Sequence, residues 1–103
     1  MWAQLITTRL KPGRENDMAV LVEQLRATEQ PGSGLVRSLA MVDQKDPGKA
    51  YMLVVFESEE KARERENDPR REEGLTAARA TMAEMFDGAP EFVDLIVIDE
   101  VAP

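Results

Sequence analysis

The sequence predicts an α+β fold in which two strand–helix–strand units share one four-stranded antiparallel sheet. Three observations indicate it. Strand-like and helix-like patterns alternate along the chain, turns rich in Gly, Pro and Asp separate them, and the longest apolar run, residues 50–56, is only the size of a strand. This order of elements is the ferredoxin-like βαββαβ arrangement, and a chain of 103 residues is expected to form one such domain, 1–103.

The first unit combines a strand, a helix and a second strand. Residues 2–10 are rich in Leu, Ile and Thr and end at a Lys-Pro-Gly turn, which is typical of a strand. Between residues 14 and 30, apolar side chains recur at helical spacing behind Asn16 or Asp17, either of which is suited to cap a helix. Residues 35–42 alternate as a strand does and precede a turn rich in Asp, Pro and Gly, so a hairpin to the next strand is expected.

The second unit begins with the strand 50–56. Ser58 follows as a helix cap, and an Asp-Pro pair just after Asn67 predicts that the helical region is broken there. An apolar stripe over 75–86 predicts a further helix, and residues 92–101 predict the last strand.

The two faces of the predicted sheet are both apolar. In residues 51–56 and 95–98 the alternation of polar and apolar side chains disappears, which places apolar side chains on both sides of the sheet. Two helices cover one side only. We therefore expect a homodimer in which the remaining faces pack sheet to sheet.

Charge and hydropathy exclude several classes of protein. The net charge is −7, and Lys and Arg are interspersed with acids, so a nucleic-acid partner is not expected. No apolar run approaches the roughly 20 residues that cross a bilayer, so no membrane span is expected. The first residues lack the pattern of a signal peptide, which indicates a cytoplasmic protein.

The sequence contains no Cys and no His. Thiolate nucleophiles, iron–sulfur clusters and the usual zinc sites are therefore excluded, and no cluster of carboxylates suggests a site for a hard cation. We expect neither a metal nor another cofactor. Proton transfer would then depend on carboxylates, Lys, Arg and Tyr51.

Two segments carry a resemblance to a known family. The turn Leu10-Lys11-Pro12-Gly13 follows the first strand, and Val54-Val55-Phe56-Glu57-Ser58 leads into a helix that a proline then interrupts. In these features and in the order of its elements, nearly the whole chain resembles the antibiotic biosynthesis monooxygenase superfamily. The resemblance implies a dimeric α/β barrel.

The superfamily contains cofactor-free monooxygenases acting on polyketide phenols and quinols, heme-degrading enzymes and isomerases. Heme-degrading members share an Asn, a Trp and an iron-binding His, and the matching positions here are Ile6, Arg65 and Gly74, so heme degradation is not expected. The resemblance implies instead a monooxygenase without metal or flavin. Its substrate would be a small aromatic, phenolic or quinol-type molecule bound between sheet and helices.

Arg65 and Asn67 lie near the expected helix break and are the candidates for stabilising and orienting a substrate anion. A small apolar or aromatic ligand would be held by side chains of the strands and the last helix. These predicted pocket residues are Ile6, Thr8, Met52, Val54, Phe56, Met82 and Phe86.

Alternatives remain open for these residues and for the chain. In the segment 57–73, 13 of 17 residues are charged, so it is expected to lie outside the core, either as a solvated helix or as a mobile lid over the pocket. Arg65 would then serve in a surface ion pair, and Asn67 in the helix break. The whole chain could equally be a non-catalytic dimeric module that binds a small ligand or serves as an interaction domain.

Overall fold

A four-stranded antiparallel sheet with helices on one side forms the protein, as a computed structural model of residues 1–103 describes it. The strands lie in the order β2-β3-β1-β4, and all neighbours are antiparallel. The elements are β1 (Trp2–Arg9), α1 (Asp17–Arg26), β2 (Leu35–Val42), β3 (Lys49–Phe56), α2 (Glu59–Glu66), a 3₁₀ turn (Pro69–Arg71), α3 (Glu72–Met85) and β4 (Glu91–Ile96). This confirms the predicted ferredoxin-like α+β fold.

The last strand is shorter than the expected 92–101. Its final residue, Ile96, pairs with Trp2, the first residue of β1. Beyond that point one further backbone bond forms, from the Val97 N–H to the Met1 carbonyl at 3.2 Å. The strand therefore ends where its partner strand begins.

The predicted break in the second helical region is confirmed. Ser58 caps α2 by accepting a hydrogen bond from the Lys61 N–H at 3.1 Å, and Asn67 follows the last helical residue. Asp68 then caps the 3₁₀ turn by accepting from the Arg70 N–H at 3.0 Å. The first helix is also shorter than the expected 14–30, since it ends at Arg26 in a tightened turn.

Both faces of the sheet are apolar, as expected. On one face, alternate residues of β1 and β3 pack against the helices; this is the covered face. On the opposite, open face no helix lies over the apolar side chains. Four of these are between 38% and 47% exposed: Leu39, Met41, Val93 and Leu95.

The charged segment 57–73 does not lie wholly outside the core, which corrects the sequence expectation. Ala62 and Arg71 are only 2% and 5% exposed. Ala62 packs against Trp2 and Phe56, whereas the 3₁₀ turn carries Arg71 inward between α1 and α3. No helix is both long and apolar enough to cross a membrane.

Candidate functional site

The covered face encloses a cavity of about 420 Å³ between the sheet, α1 and α3. Its wall is mainly apolar, with aliphatic, methionine and phenylalanine side chains from both layers. This size and lining are typical of sites for small organic ligands. A second concavity, of about 360 Å³, lies at the edge between α1 and β2, and Glu23 is the only charged side chain lining it. It lacks the converging polar groups that the larger cavity has.

Six of the seven predicted pocket residues line the larger cavity: Ile6, Thr8, Met52, Val54, Met82 and Phe86. The seventh, Phe56, does not line it. Its ring packs against Trp2, with the two ring centroids 6.1 Å apart, and against Ala62.

An ion pair between Arg65 and Glu29 lies at the polar end of the cavity. Arg65 Nη2 and Nε donate to Glu29 Oε2 at 2.8 and 3.1 Å. The side chains are only 17% and 26% exposed, and both line the cavity. The pair joins α2 to the segment that follows α1. Arg65 thus makes an ion pair and also lines the cavity.

The environment of Glu29 keeps it ionised. Burial raises the pKa of this carboxyl, but hydrogen bonds from Arg65 and Ser33 and the charges of Arg65 and Arg71 outweigh that effect and leave the pKa below its ordinary value. Glu29 is the only carboxylate that lines the cavity. At neutral pH the site therefore holds one negative charge, bound to Arg65.

Arg71 is the functional candidate that the sequence did not indicate. Its Nη2 donates to Thr28 Oγ1 and its Nη1 to the Arg65 carbonyl, both at 3.2 Å, while its buried Nε has no partner. No carboxylate lies within 4.0 Å. Burial and then the charge of Arg65 lower the pKa of Arg71, but an arginine stays protonated at neutral pH. Arg71 also lines the cavity.

One signal in the sequence could have pointed to Arg71. Gly74 follows it by one turn of α3, and a Cβ at Gly74 would lie 2.7 Å from Thr28 Cγ2. A glycine within a helix often marks such a close approach of two elements. The approach of the helices brings the Thr28 hydroxyl within reach of Arg71.

Asn67 does not line the cavity. Its side-chain Nδ2 is exposed and donates to the Arg63 carbonyl at 3.0 Å, where α2 ends. Tyr51 alternates with the cavity-lining Met52 on β3, so it belongs to the open face. The structure therefore brings Arg65 to the cavity without Asn67. No group of three or more acidic side chains is arranged to hold a metal ion.

No protein-family model matches this sequence, and no curated protein sequence matches it either. Solved structures do match it. One is a protein from Nitrosomonas europaea provisionally described as an antibiotic biosynthesis monooxygenase. It superposes with a TM-score of 0.76 at 11% identity, over 96% of this chain and all of its own.

Two further solved structures also match over nearly the whole of this chain and of their own. A variant of SnoaB, a cofactor-independent oxygenase from Streptomyces nogalater, gives a TM-score of 0.73 at 14% identity, over 99% of this chain and 97% of its own. Rv0793 from Mycobacterium tuberculosis also gives 0.73, at 17% identity, over 98% of both chains. The chain has the fold of the antibiotic biosynthesis monooxygenases. The cavity lies between the sheet and the helices of this monooxygenase fold.

Proposed function

We propose that the chain is a cofactor-independent monooxygenase that oxidises a small aromatic, phenolic or quinol-type substrate. The observation that carries this proposal is the apolar cavity of about 420 Å³ with an arginine–carboxylate pair at its polar end. An apolar wall holds a flat, uncharged ring system, and fixed guanidinium groups stabilise negative charge that develops on it. SnoaB, of similar fold, is described as a cofactor-independent oxygenase.

The proposed reaction begins with a proton transfer from the substrate to Glu29. A carboxylate with a lowered pKa is a weak base, so protonation of Glu29 is unfavourable by itself. Arg65 offsets this cost. As Glu29 becomes neutral, the Arg65 charge is released from its partner and stabilises the substrate anion instead.

The anion then reacts with oxygen itself. It transfers one electron to O₂, and the resulting radical pair combines to a peroxide anion. The proton held by Glu29 then returns to this anion and gives the hydroperoxide. For a reacting CH₂ group, loss of water gives the ketone, so that one oxygen atom enters the product and the other leaves in water with both hydrogens. No further reductant is required.

For Asn67 we propose a positioning contribution. Its bond to the Arg63 carbonyl fixes the end of α2, the helix that carries Arg65. We also propose that the protein is a homodimer that packs through its open faces, because four large apolar side chains are exposed there.

Oxygen uptake with a panel of anthrones and quinols tests the proposal. We expect uptake above the rate with heat-denatured protein, with one O₂ consumed per ketone or quinone formed. Arg65→Ala should lower this rate at least tenfold and Asn67→Ala by less. Arg79→Ala is the matched control, because Arg79 is exposed and pairs with Glu72. Saturable binding of the same compounds without oxygen uptake would instead support the non-catalytic binding module.

A further inference from the structure

We infer that the cavity binds its ligand as an anion, with a carboxylate of an aromatic monocarboxylic acid held by Arg71. This inference rests on the proposed function and names the substrate class of the same site. The carboxylate is separate from the ring position that reacts, which lies toward Arg65 and Glu29.

The charges that line the cavity do not balance. Arg65 and Glu29 neutralise one another, and the exposed Arg26 pairs with Glu23 outside the cavity. Arg71 remains without a carboxylate, although it is only 5% exposed. A buried cation is unfavourable unless an anion accompanies it, so the cavity lacks one negative charge.

The N–H donors of Arg71 that have no acceptor also favour a carboxylate ligand. A guanidinium carries five N–H donors, and those of Arg71 meet only two acceptors, both uncharged. The Nε–H has no partner. The planar fork of a guanidinium matches the two oxygens of a carboxylate, and the apolar surroundings strengthen that attraction.

The other side chains that line the cavity favour a ligand with an aromatic ring system. Phe86, Phe92, Met52 and Met82 line the cavity, and they suit a flat aromatic ring system. One unpaired cation matches one negative charge. A monocarboxylate therefore fits better than a doubly charged phosphate ester.

Calorimetric titration of the full chain under argon tests this inference with two probes of one shape. 2-Naphthoate carries the charge, and 2-naphthamide is its uncharged counterpart. We expect wild-type protein to bind 2-naphthoate about ten- to a hundredfold more tightly. Arg71→Met should abolish this preference and leave the affinity for 2-naphthamide within about twofold. Arg79→Met, on the exposed side of α3, should retain it.

Equal affinity of the wild type for the two probes would overturn the inference, and this comparison needs no variant. A preference that survives in folded Arg71→Met protein would overturn it as well. The titration under argon excludes O₂, so it measures binding of the probes without any oxygenation. If the preference holds but no aromatic acid, anthrone or quinol supports oxygen uptake, the anion site stands and the monooxygenase proposal fails. If oxygen uptake occurs but 2-naphthoate is not preferred over 2-naphthamide, the monooxygenase proposal stands and the anion site fails.

Discussion

The two faces of the sheet are both apolar, but they differ in what surrounds them. The covered face meets α1 and α3 around a cavity where Arg65, Glu29 and Arg71 converge. The open face presents Leu39 and Val93, 46% and 47% exposed, with no helix over them. We propose from this difference that ligand binding belongs to one face and association to the other. A substitution on either face should then leave the property of the other unchanged.

The largest effect is expected on the open face. Leu39→Asp would place a carboxylate in the proposed interface, and two-fold symmetry would place it there twice. We expect dimerisation to become less favourable by at least about 3 kcal/mol, because both charges would be desolvated. Native mass spectrometry over a range of concentrations measures the change.

The control for this substitution is Val20→Asp, since Val20 is 51% exposed on α1, away from the open face. It should leave the dimer intact. Binding of 2-naphthoate should be the same in Leu39→Asp as in the wild type. A wild-type protein that is monomeric at micromolar concentration would contradict the assignment of association to this face.

On the covered face, Arg71→Met is expected to stabilise the fold by about 1 kcal/mol, because replacing a buried, unpaired ion with an apolar side chain removes its desolvation penalty. The Arg65 carbonyl still accepts the Asp68 N–H, at 3.2 Å, so the substitution does not leave it unpaired. Urea denaturation measures the change.

Arg79→Met is the control, since an exposed ion pair contributes little, and it should change stability by less than about 0.5 kcal/mol. If Arg71→Met lost 2 kcal/mol or more, Arg71 would be a structural residue. The covered face would then carry its charge for folding and not for ligand binding.

Much of the covered face could be predicted, because strand geometry is local. Ile6, Met52 and Val54, predicted for the pocket, do line it, and they share one face because alternate residues of a strand point to the same side. The length of β4 could not be predicted in this way. It depends on where β1 begins, and that is a property of a partner strand distant in sequence.

The polar end of the cavity depends on information that is not local. Arg63 and Arg71 lie in one charged segment and look alike in sequence. The side chain of Arg63 is 42% exposed and contacts three carboxylates, whereas Arg71 is buried and contacts none. The difference arises from the 3₁₀ turn between them and from the approach of Thr28, in the segment that follows α1, to Gly74. A run of charges indicates average exposure, but not which member turns inward.

Gly74→Ala tests whether the approach of α1 and α3 holds the covered face together. The new Cβ would lie 2.7 Å from Thr28 Cγ2. Rotation of Thr28 to relieve this contact would break its bond to the Leu25 carbonyl at 2.7 Å and the one from Arg71. We expect a net loss of about 1 kcal/mol by urea denaturation, since overpacking outweighs the gain in helix propensity.

A second substitution shows the effect of an added methyl group where neither the contact with Thr28 nor helix propensity applies. Gly48→Ala adds the same methyl group in a turn, where the nearest atom is the end of the Arg9 side chain at 3.2 Å. This guanidinium ends a long, half-exposed side chain and can shift at little cost although it pairs with Asp46, so the loss should be smaller. A Gly74→Ala protein more stable than the wild type would show that the helices separate readily.

The smallest effect concerns the charge of Glu29. Its folded-state pKa is lowered, so its contribution to stability is present above the ordinary glutamate pKa of about 4.3 and is lost as the pH falls through the folded-state value. Glu29→Gln should therefore be less stable than the wild type at pH 7, by under about 1 kcal/mol because the side chain is 26% exposed. Below about pH 4 that difference should shrink toward zero. Glu84→Gln, 72% exposed, is the control and should cost less stability at pH 7 than Glu29→Gln does. Urea denaturation from pH 3 to 7 measures both, in the Leu39→Asp background so that association does not contribute. A Glu29→Gln deficit that grew as the pH fell would mean that Arg65 does not hold this carboxylate in its charged form.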